Sequence, residues 1–382
     1  MRFSRGLSVI GLLAVGGVAN AADAPAEPAK YTGPSLADVL TGSGITVSGY
    51  VDAMYDYSSS PAPALQEFTG HHSSFLIDQA SLTVAYQPKE GFGALAQVIA
   101  GEDARVLNES SPPLSDGNFD VTQAFVQYAT GSWTIQGGKM LTLVGSEVIA
   151  PTGNSNVSRS LLFFGEPLTH TGLRVTDAVT DTFSFIFGVN NGWNATSDVN
   201  VQKTAEVGMA WIPSKAFALT AQGYFGNEVD VFNGTYDGNR SIVDLVATWN
   251  VNDALTLILS ADWGQQKGIF VDNGDETIGL ATAKWSGVAG YFNYAINSAW
   301  RVSVRAEYLH DQDGFISGVS QNIKEATVTF GYAPSKNFEL RLEGRIDKTP
   351  EDYFLKDTNG SITDTQSHIL IEGLYKFPAP TS

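Results

Sequence analysis

The chain has 382 residues, no cysteine, and 40 acidic against 22 basic side chains, a formal net charge of −18. The missing thiols exclude disulfides, thiolate metal sites and a cysteine nucleophile, and the acidity argues against nucleic-acid binding. Mean hydropathy is −0.04, and beyond the N-terminus no run of apolar residues is long enough for a transmembrane helix.

Arg2 and Arg5 form a basic n-region, Leu7 to Val18 an apolar stretch of 12 residues, and Ala19-Asn20-Ala21 an A-x-A cleavage signal. This pattern predicts a secretory signal peptide over residues 1–21, cut after Ala21. The remaining chain would carry 20 basic against 40 acidic residues. Residues 22–43 read as a polar lead-in, Ala/Pro-rich at first, with a short helix expected over Pro34 to Leu40.

From Ile45 to Phe377 there are 16 candidate strands and no composition break that would mark a second domain. The expected spans are 44–57, 73–87, 91–103, 119–129, 132–143, 168–177, 181–190, 201–213, 216–227, 240–251, 254–265, 277–295, 299–310, 321–333, 337–348 and 365–377. The span 277–295 is long for one strand, and Trp285-Ser286-Gly287 leaves open a bend or a second strand. Residues 378–382 form a tail.

Several spans alternate with period 2, and their two faces have opposite chemistry. Phe338, Leu340, Leu342, Gly344 and Ile346 alternate with Glu339, Arg341, Glu343, Arg345 and Asp347. Trp300, Val302, Val304, Ala306 and Tyr308 alternate with Arg301, Ser303, Arg305 and Glu307. Leu255, Leu257, Leu259, Ala261 and Trp263 alternate with Thr256, Ser260 and Asp262. The apolar faces begin or end on aromatic residues, as a lipid-facing band between two membrane interfaces does.

Connector lengths alternate as well. Short turns fall at 87–90, 130–131, 177–180, 213–215, 251–253, 296–298 and 334–336, and every second connector is longer, about 10 to 24 residues. Aromatics flank the short turns: Tyr86 and Phe92, Tyr128 and Trp133, Trp211 and Phe217, Tyr294 and Trp300, Tyr332 and Phe338. Together these signals predict an all-β, antiparallel transmembrane β-barrel over 44–377, in the outer membrane of a Gram-negative bacterium. The lead-in, both termini and the short turns would be periplasmic and the long loops extracellular. A soluble sandwich or propeller would not repeat this rhythm.

The longest connector, residues 144–167, is then the third extracellular loop. It carries Glu147, Arg159 and Glu166, with Phe163-Phe164 between the last two. A barrel of 16 strands encloses an aqueous channel, and the loop is expected to fold inward and narrow it. The alternative is an outward loop packed on a neighbouring subunit.

The stretches Gly138-Lys139, Gly145 to Ile149, Asn154 to Phe163 and Thr169 to Arg174 resemble the OmpL-like outer-membrane porins, the second β-barrel porin family. Ile45 to Tyr57, Arg305 to Tyr308 and Asp311 to Gly314 are similar too, so the resemblance covers nearly the whole mature chain. It implies passive passage of small hydrophilic solutes or ions through a monomeric or homotrimeric barrel in outer-membrane lipid, with no cofactor.

The candidate selectivity residues follow from the faces. Arg301, Arg305, Lys324, Arg341 and Arg345, with Glu307, Glu325, Glu339, Glu343 and Asp347, would form a charged interior wall. Asp52, Asp56, Asp78, Glu206, Asp244 and Asp262 would make a more acidic half. Either this wall is a self-satisfied ladder, or Glu147, Arg159 and Glu166 face Arg301, Arg305, Arg341 and Arg345 across the lumen and set ion preference. His170 and Arg174 stand beside the base of the loop, with His170 expected to hydrogen-bond to it or to titrate near neutrality.

Other chemistry is weakly encoded. Asp272 to Glu276 and Asp311 to Gly314 have carboxylate spacing that calcium could use, but Asn-Gly and Asp-Gly are ordinary turn sequences. His71-His72 reads as a solvated pair. A Ser–His–acid hydrolase would draw on His170, His310 or His368; only His310 has an adjacent acid, Asp311, and no Gly-x-Ser-x-Gly elbow occurs. The expectation is therefore a non-enzymatic pore, with an anchor or adhesion barrel of plugged lumen as the rival and a barrel hydrolase behind it.

Overall fold

A computed structural model of the chain describes residues 40, 42–110, 117–198, 200–229, 237–272 and 278–377. The expected signal peptide, nearly all of the expected lead-in and the tail after Phe377 lie outside the described residues. Among those described, sixteen antiparallel strands close a barrel. In chain order they are β1 (Thr46–Ser58), β2 (Ser74–Tyr86), β3 (Gly91–Ala100), β4 (Phe119–Thr130), β5 (Trp133–Leu141), β6 (Thr169–Thr180), β7 (Phe183–Asn190) and β8 (Thr204–Ser214). Then follow β9 (Phe217–Val229), β10 (Asp237–Asn250), β11 (Leu255–Asp272), β12 (Ile278–Ala295), β13 (Trp300–Asp311), β14 (Gln321–Ser335) and β15 (Phe338–Lys348). A two-residue hairpin, β16 (Phe354–Leu355) and β17 (Ile362–Thr363), sits in the last long loop before β18 (Thr365–Phe377). Each barrel strand pairs with its neighbour in sequence, and β1 pairs with β18 from Gly49↔Phe377 to Ser58↔His368, which leaves the barrel without an edge.

The exposure pattern is that of a membrane barrel. On β15, Leu340, Leu342 and Ile346 are 43%, 50% and 47% exposed, whereas Arg341, Glu343, Arg345 and Asp347 are 3% or less. Apolar side chains face outward and charged ones inward, the reverse of a soluble fold. Aromatic pairs mark the short-turn end: Phe92 lies 4.8 Å from Tyr128 and Trp300 4.5 Å from Tyr332, ring to ring.

Two expected spans are corrected. β3 stops at Ala100 rather than running to 103, because Gly101 breaks the ladder. It adopts φ +137°, and a Cβ there would sit 2.3 Å from the Asp78 carbonyl oxygen. A helix, α1 (Glu102–Ser110), begins at once, with Glu102 and Asp103 in its first turn, where the helix dipole favours acids. The expected span 277–295 proves to be one strand over its described residues, 278–295. β12 pairs with β11 from Leu255↔Tyr294 to Asp272↔Ile278, interrupted by a bulge between Lys267 and Ile269, so β11 also outruns its expected end at 265.

The long-loop half of the interior is packed by loops. Leu65, Leu161, Leu162, Leu309, Ile323 and Phe354 form one apolar cluster. Phe68, Ile99, Leu107, Ile149 and Phe163 form another, which seats α1 against the third long loop. The expected acidic set, Asp52, Asp56, Asp78, Glu206, Asp244 and Asp262, is buried inside the barrel throughout.

Candidate pore constriction

The connector between β5 and β6 leaves the ladder at Thr142, whose backbone N–H donates to the Leu168 carbonyl at 3.0 Å. Asn154 folds its middle. It accepts from the Val148 N–H at 2.9 Å and donates to the carbonyls of Val148 and Ala150 at 2.7 and 3.1 Å, enclosing a 3-10 turn at Pro151–Gly153. Beyond it a single helical turn, α2 (Leu161–Phe164), is capped by the Ser160 hydroxyl, which accepts from the Phe163 N–H at 3.0 Å.

Charged side chains on the interior face of β13–β15 grip this loop. Glu343 accepts from the N–H groups of Val157 and Ser158 at 2.6 and 2.9 Å and from the Ser158 hydroxyl. Glu307 accepts from the Leu161 N–H at 2.9 Å, at the amino end of α2. Arg301 donates to the Ser155 carbonyl at 2.6 Å, Arg305 to that of Ser158 at 2.7 Å, Arg341 to that of Pro151 at 3.2 Å and Arg345 to that of Arg159 at 2.5 Å. Buried loop backbone needs partners, and this wall supplies them.

The wall is also self-paired. Arg301 bridges Glu339 at 2.6 Å, and Arg305 bridges Glu307 and Glu325 at 3.1 and 3.2 Å. Arg341 bridges Glu339 and Glu372 at 2.9 and 3.0 Å, and Arg345 bridges Asp347 at 2.8 Å. The loop contributes Glu147 to this lattice, 2.8 Å from Arg305, with its other oxygen accepting from the Ser160 N–H at 2.6 Å.

The expectation that Glu147, Arg159 and Glu166 face the four arginines across a lumen is therefore corrected. Glu147 touches Arg305 directly. Arg159 turns back into its own loop, donating to the carbonyls of Val148, Val157 and Ile149 at 2.9, 2.7 and 2.7 Å beneath the rings of Phe68 and Phe163. Glu166 lies against Gly145 and the carboxyls of Asp244 and Asp262 on β10 and β11. Burial first, and the Asp244 charge second, hold Glu166 well above the usual carboxylate range. The physical reason for the correction is desolvation: separated charges in a crowded interior cost more than contacts.

His170 and Arg174 are placed at the loop base as expected. The His170 ring stacks on Tyr224 at 3.9 Å, and its Nδ1 lies 3.3 Å from the carbonyl of Gly192 in the connector after β7, so the hydrogen bond expected to the 144–167 loop is made to a different loop. Arg174 bridges Glu206 at 2.8 Å and donates to the Leu141 carbonyl at 3.0 Å. Of the calcium-like stretches, 273–276 lies outside the described residues. Asp311 holds a turn, accepting from the N–H groups of Ile316 and Ser317 at 3.0 and 2.7 Å. Asn154 and Ser160 were the residues that sequence reasoning missed, although Ser160 before an apolar run is a recognisable cap.

A family model described as "Putative beta-barrel porin-2, OmpL-like" matches residues 44–377. No curated protein matches the sequence. Among solved structures, the outer membrane channel DcaP of Acinetobacter baumannii is 13% identical with a TM-score of 0.60, over 87% of this chain and 97% of that one. The anion-selective porin from Comamonas acidovorans is 12% identical with a TM-score of 0.56, over 87% and 99%. Pseudomonas putida OprB is 11% identical with a TM-score of 0.57, over 89% and 96%. At these identities the likeness is one of fold. The family match covers the barrel from its first strand to its last, and the chain belongs to the OmpL-like β-barrel porins.

Proposed function

We propose that the chain is a passive pore of the Gram-negative outer membrane, through which small hydrophilic solutes diffuse, and that the 142–168 loop is its narrowest element. The observation that carries the reading is the docking of this loop on interior side chains of β13–β15 within a closed barrel. A loop so held reduces the cross-section without sealing the periplasmic half, where interior positions such as Thr83, Gln97, Thr134 and Gln136 stay partly exposed. Planar-bilayer recording on purified protein tests it: discrete unit currents are expected.

One observation favours a second reading. The apolar clusters under the loops fill much of the extracellular half, as they would in an anchor barrel with a plugged lumen. Absence of any unit current under the same conditions would select that reading.

A further inference from the structure

We infer that this pore favours uncharged, hydroxyl-rich solutes over charged solutes of the same size; the inference rests on the pore reading above.

It starts from how the loop uses its charges. Glu147, Arg159 and Glu166 are its ionisable residues, and they are 5%, 4% and 7% exposed, turned away from open space into the wall, the loop itself and the β10–β11 carboxyls respectively. What the loop leaves uncovered is neutral: Leu143 and Val148 are 38% and 39% exposed, Gly153 is exposed, and Ala150 and Thr152 are half-buried. Three of the four arginines that would otherwise present a field are closed off beneath it, Arg305 at 0%, Arg341 at 2% and Arg345 at 3% exposure, while the Arg301 side chain stays 25% exposed with Glu339 2.6 Å away. Rings of accessible charge set ion preference in pores; here Glu147 and the wall charges pair at contact distance, Arg159 is bound to loop carbonyls, and Glu166 is shut away against Asp244 and Asp262.

The adjoining wall is neutral in a different way. The Ile149 carbonyl accepts from Gln79 of β2 at 3.0 Å, which brings the uncovered edge of the loop beside β2. From there toward the short turns, the interior positions of β2–β5 include Thr83, Gln97, Gln123, Gln127, Thr134 and Gln136. Gln97 is paired with Thr83, and Gln127 with Gln136, in the ladder. Gln123 donates to Gln97 at 2.8 Å and Gln87 to Gln127 at 3.0 Å. Each amide has two donors and two acceptor lone pairs, so one such contact leaves capacity for a ligand. A run of amides and hydroxyls can exchange hydrogen bonds with successive hydroxyls of a sugar or polyol, and the charges that stand among them, Lys139 of β5 and Asp120 of β4, are paired with each other at 3.0 Å and only 10% and 12% exposed, so an ion is offered little counter-charge. The half-buried Leu95 adds apolar surface on the same interior face, which suits the C–H face of such a solute.

The test uses full-length protein in liposomes, with three probes of one carbon skeleton: glucose, gluconate and glucosamine, all at the same mildly acidic pH. Swelling should be faster with glucose than with either charged probe. Equal or faster swelling with gluconate or glucosamine overturns the inference, and unit conductance in KCl without glucose permeation overturns it while leaving the pore reading intact. No conductance and no swelling overturns both. Gln97→Glu combined with Gln123→Glu, and separately Val148→Asp, should move the preference toward glucosamine. If neither does so, this wall and loop edge are not the selective surface and the inference fails.

Discussion

Glu147 and Arg305, 158 positions apart in the chain, meet at 2.8 Å in a site where the arginine is completely buried. The pair joins the loop to the wall, and the same guanidinium holds Glu307 and Glu325. Arg305 is the point where three carboxylates share one cation.

Its removal should therefore release the loop. Arg305→Met leaves buried carboxylates without a counter-charge, a change that costs about 3–5 kcal/mol. Unit currents in planar bilayers should become larger and noisier, and the urea midpoint of unfolding should fall. Currents and midpoint identical to those of the parent protein would show that the contact does not hold the loop.

Deleting residues 150–163 should raise unit conductance above that of the intact protein, since it removes the 3-10 turn and all of α2 but Phe164. Unchanged conductance in a folded deletion variant would place the narrowest point elsewhere.

The two faces of β15 give a paired test of the membrane reading. Leu342→Arg puts a charge on the lipid face, which costs about 2–4 kcal/mol near the bilayer midplane. Folding into vesicles should suffer accordingly. Glu343→Gln, one residue away, should spare membrane folding and weaken the grip on Val157 and Ser158. Equal vesicle-folding yields for Leu342→Arg and the parent would contradict a lipid-facing Leu342.

Loop docking should also depend on pH through Glu166, which faces Asp244 of β10, Asp262 of β11 and Glu147 of its own loop. Its value in the docked state is raised, so the docked loop retains a proton that the released loop gives up. The contribution to docking is complete below the ordinary carboxylate range and is lost as pH rises through the raised value. Current noise should grow on the alkaline side, and Glu166→Gln should flatten that dependence. A variant as pH-sensitive as the parent would assign the effect to Asp244 and Asp262.

The strands were legible because alternation and flanking aromatics are local signals. Phe338 to Asp347 display both faces of β15 within ten residues. Alternation also identified Arg301, Arg305, Arg341 and Arg345 as interior residues; Lys324, expected beside them, is corrected, since it is exposed while its neighbour Glu325 is buried, and adjacent residues of a strand face opposite sides. It could not name their partners, because period 2 assigns a side and leaves the contact open, and the carbonyls they bind lie some 150 to 190 positions earlier. The end of β3 differs for a related reason: the close approach of Gly101 to the Asp78 carbonyl, which leaves no room for a Cβ, is a contact with the neighbouring strand. The β11–β12 extension past 265 depends on cross-strand pairing, which the run Gly264-Gln265-Gln266 does not advertise.

The seam between β1 and β18 fixes when this protein can become itself. Ser58 pairs with His368, so the closing ladder joins the two extremities of the barrel sequence, and the loop gripped by β13–β15 must wait for strands made long after it. Such distant pairing is slow to form. Until β18 arrives, β1 and β15 each present a row of unsatisfied backbone groups, a state that hydrocarbon does not tolerate and that invites pairing with other chains. Transit and insertion thus demand an escort that shields both strand rims, and a chain cut short before β18 has no stable place in the bilayer.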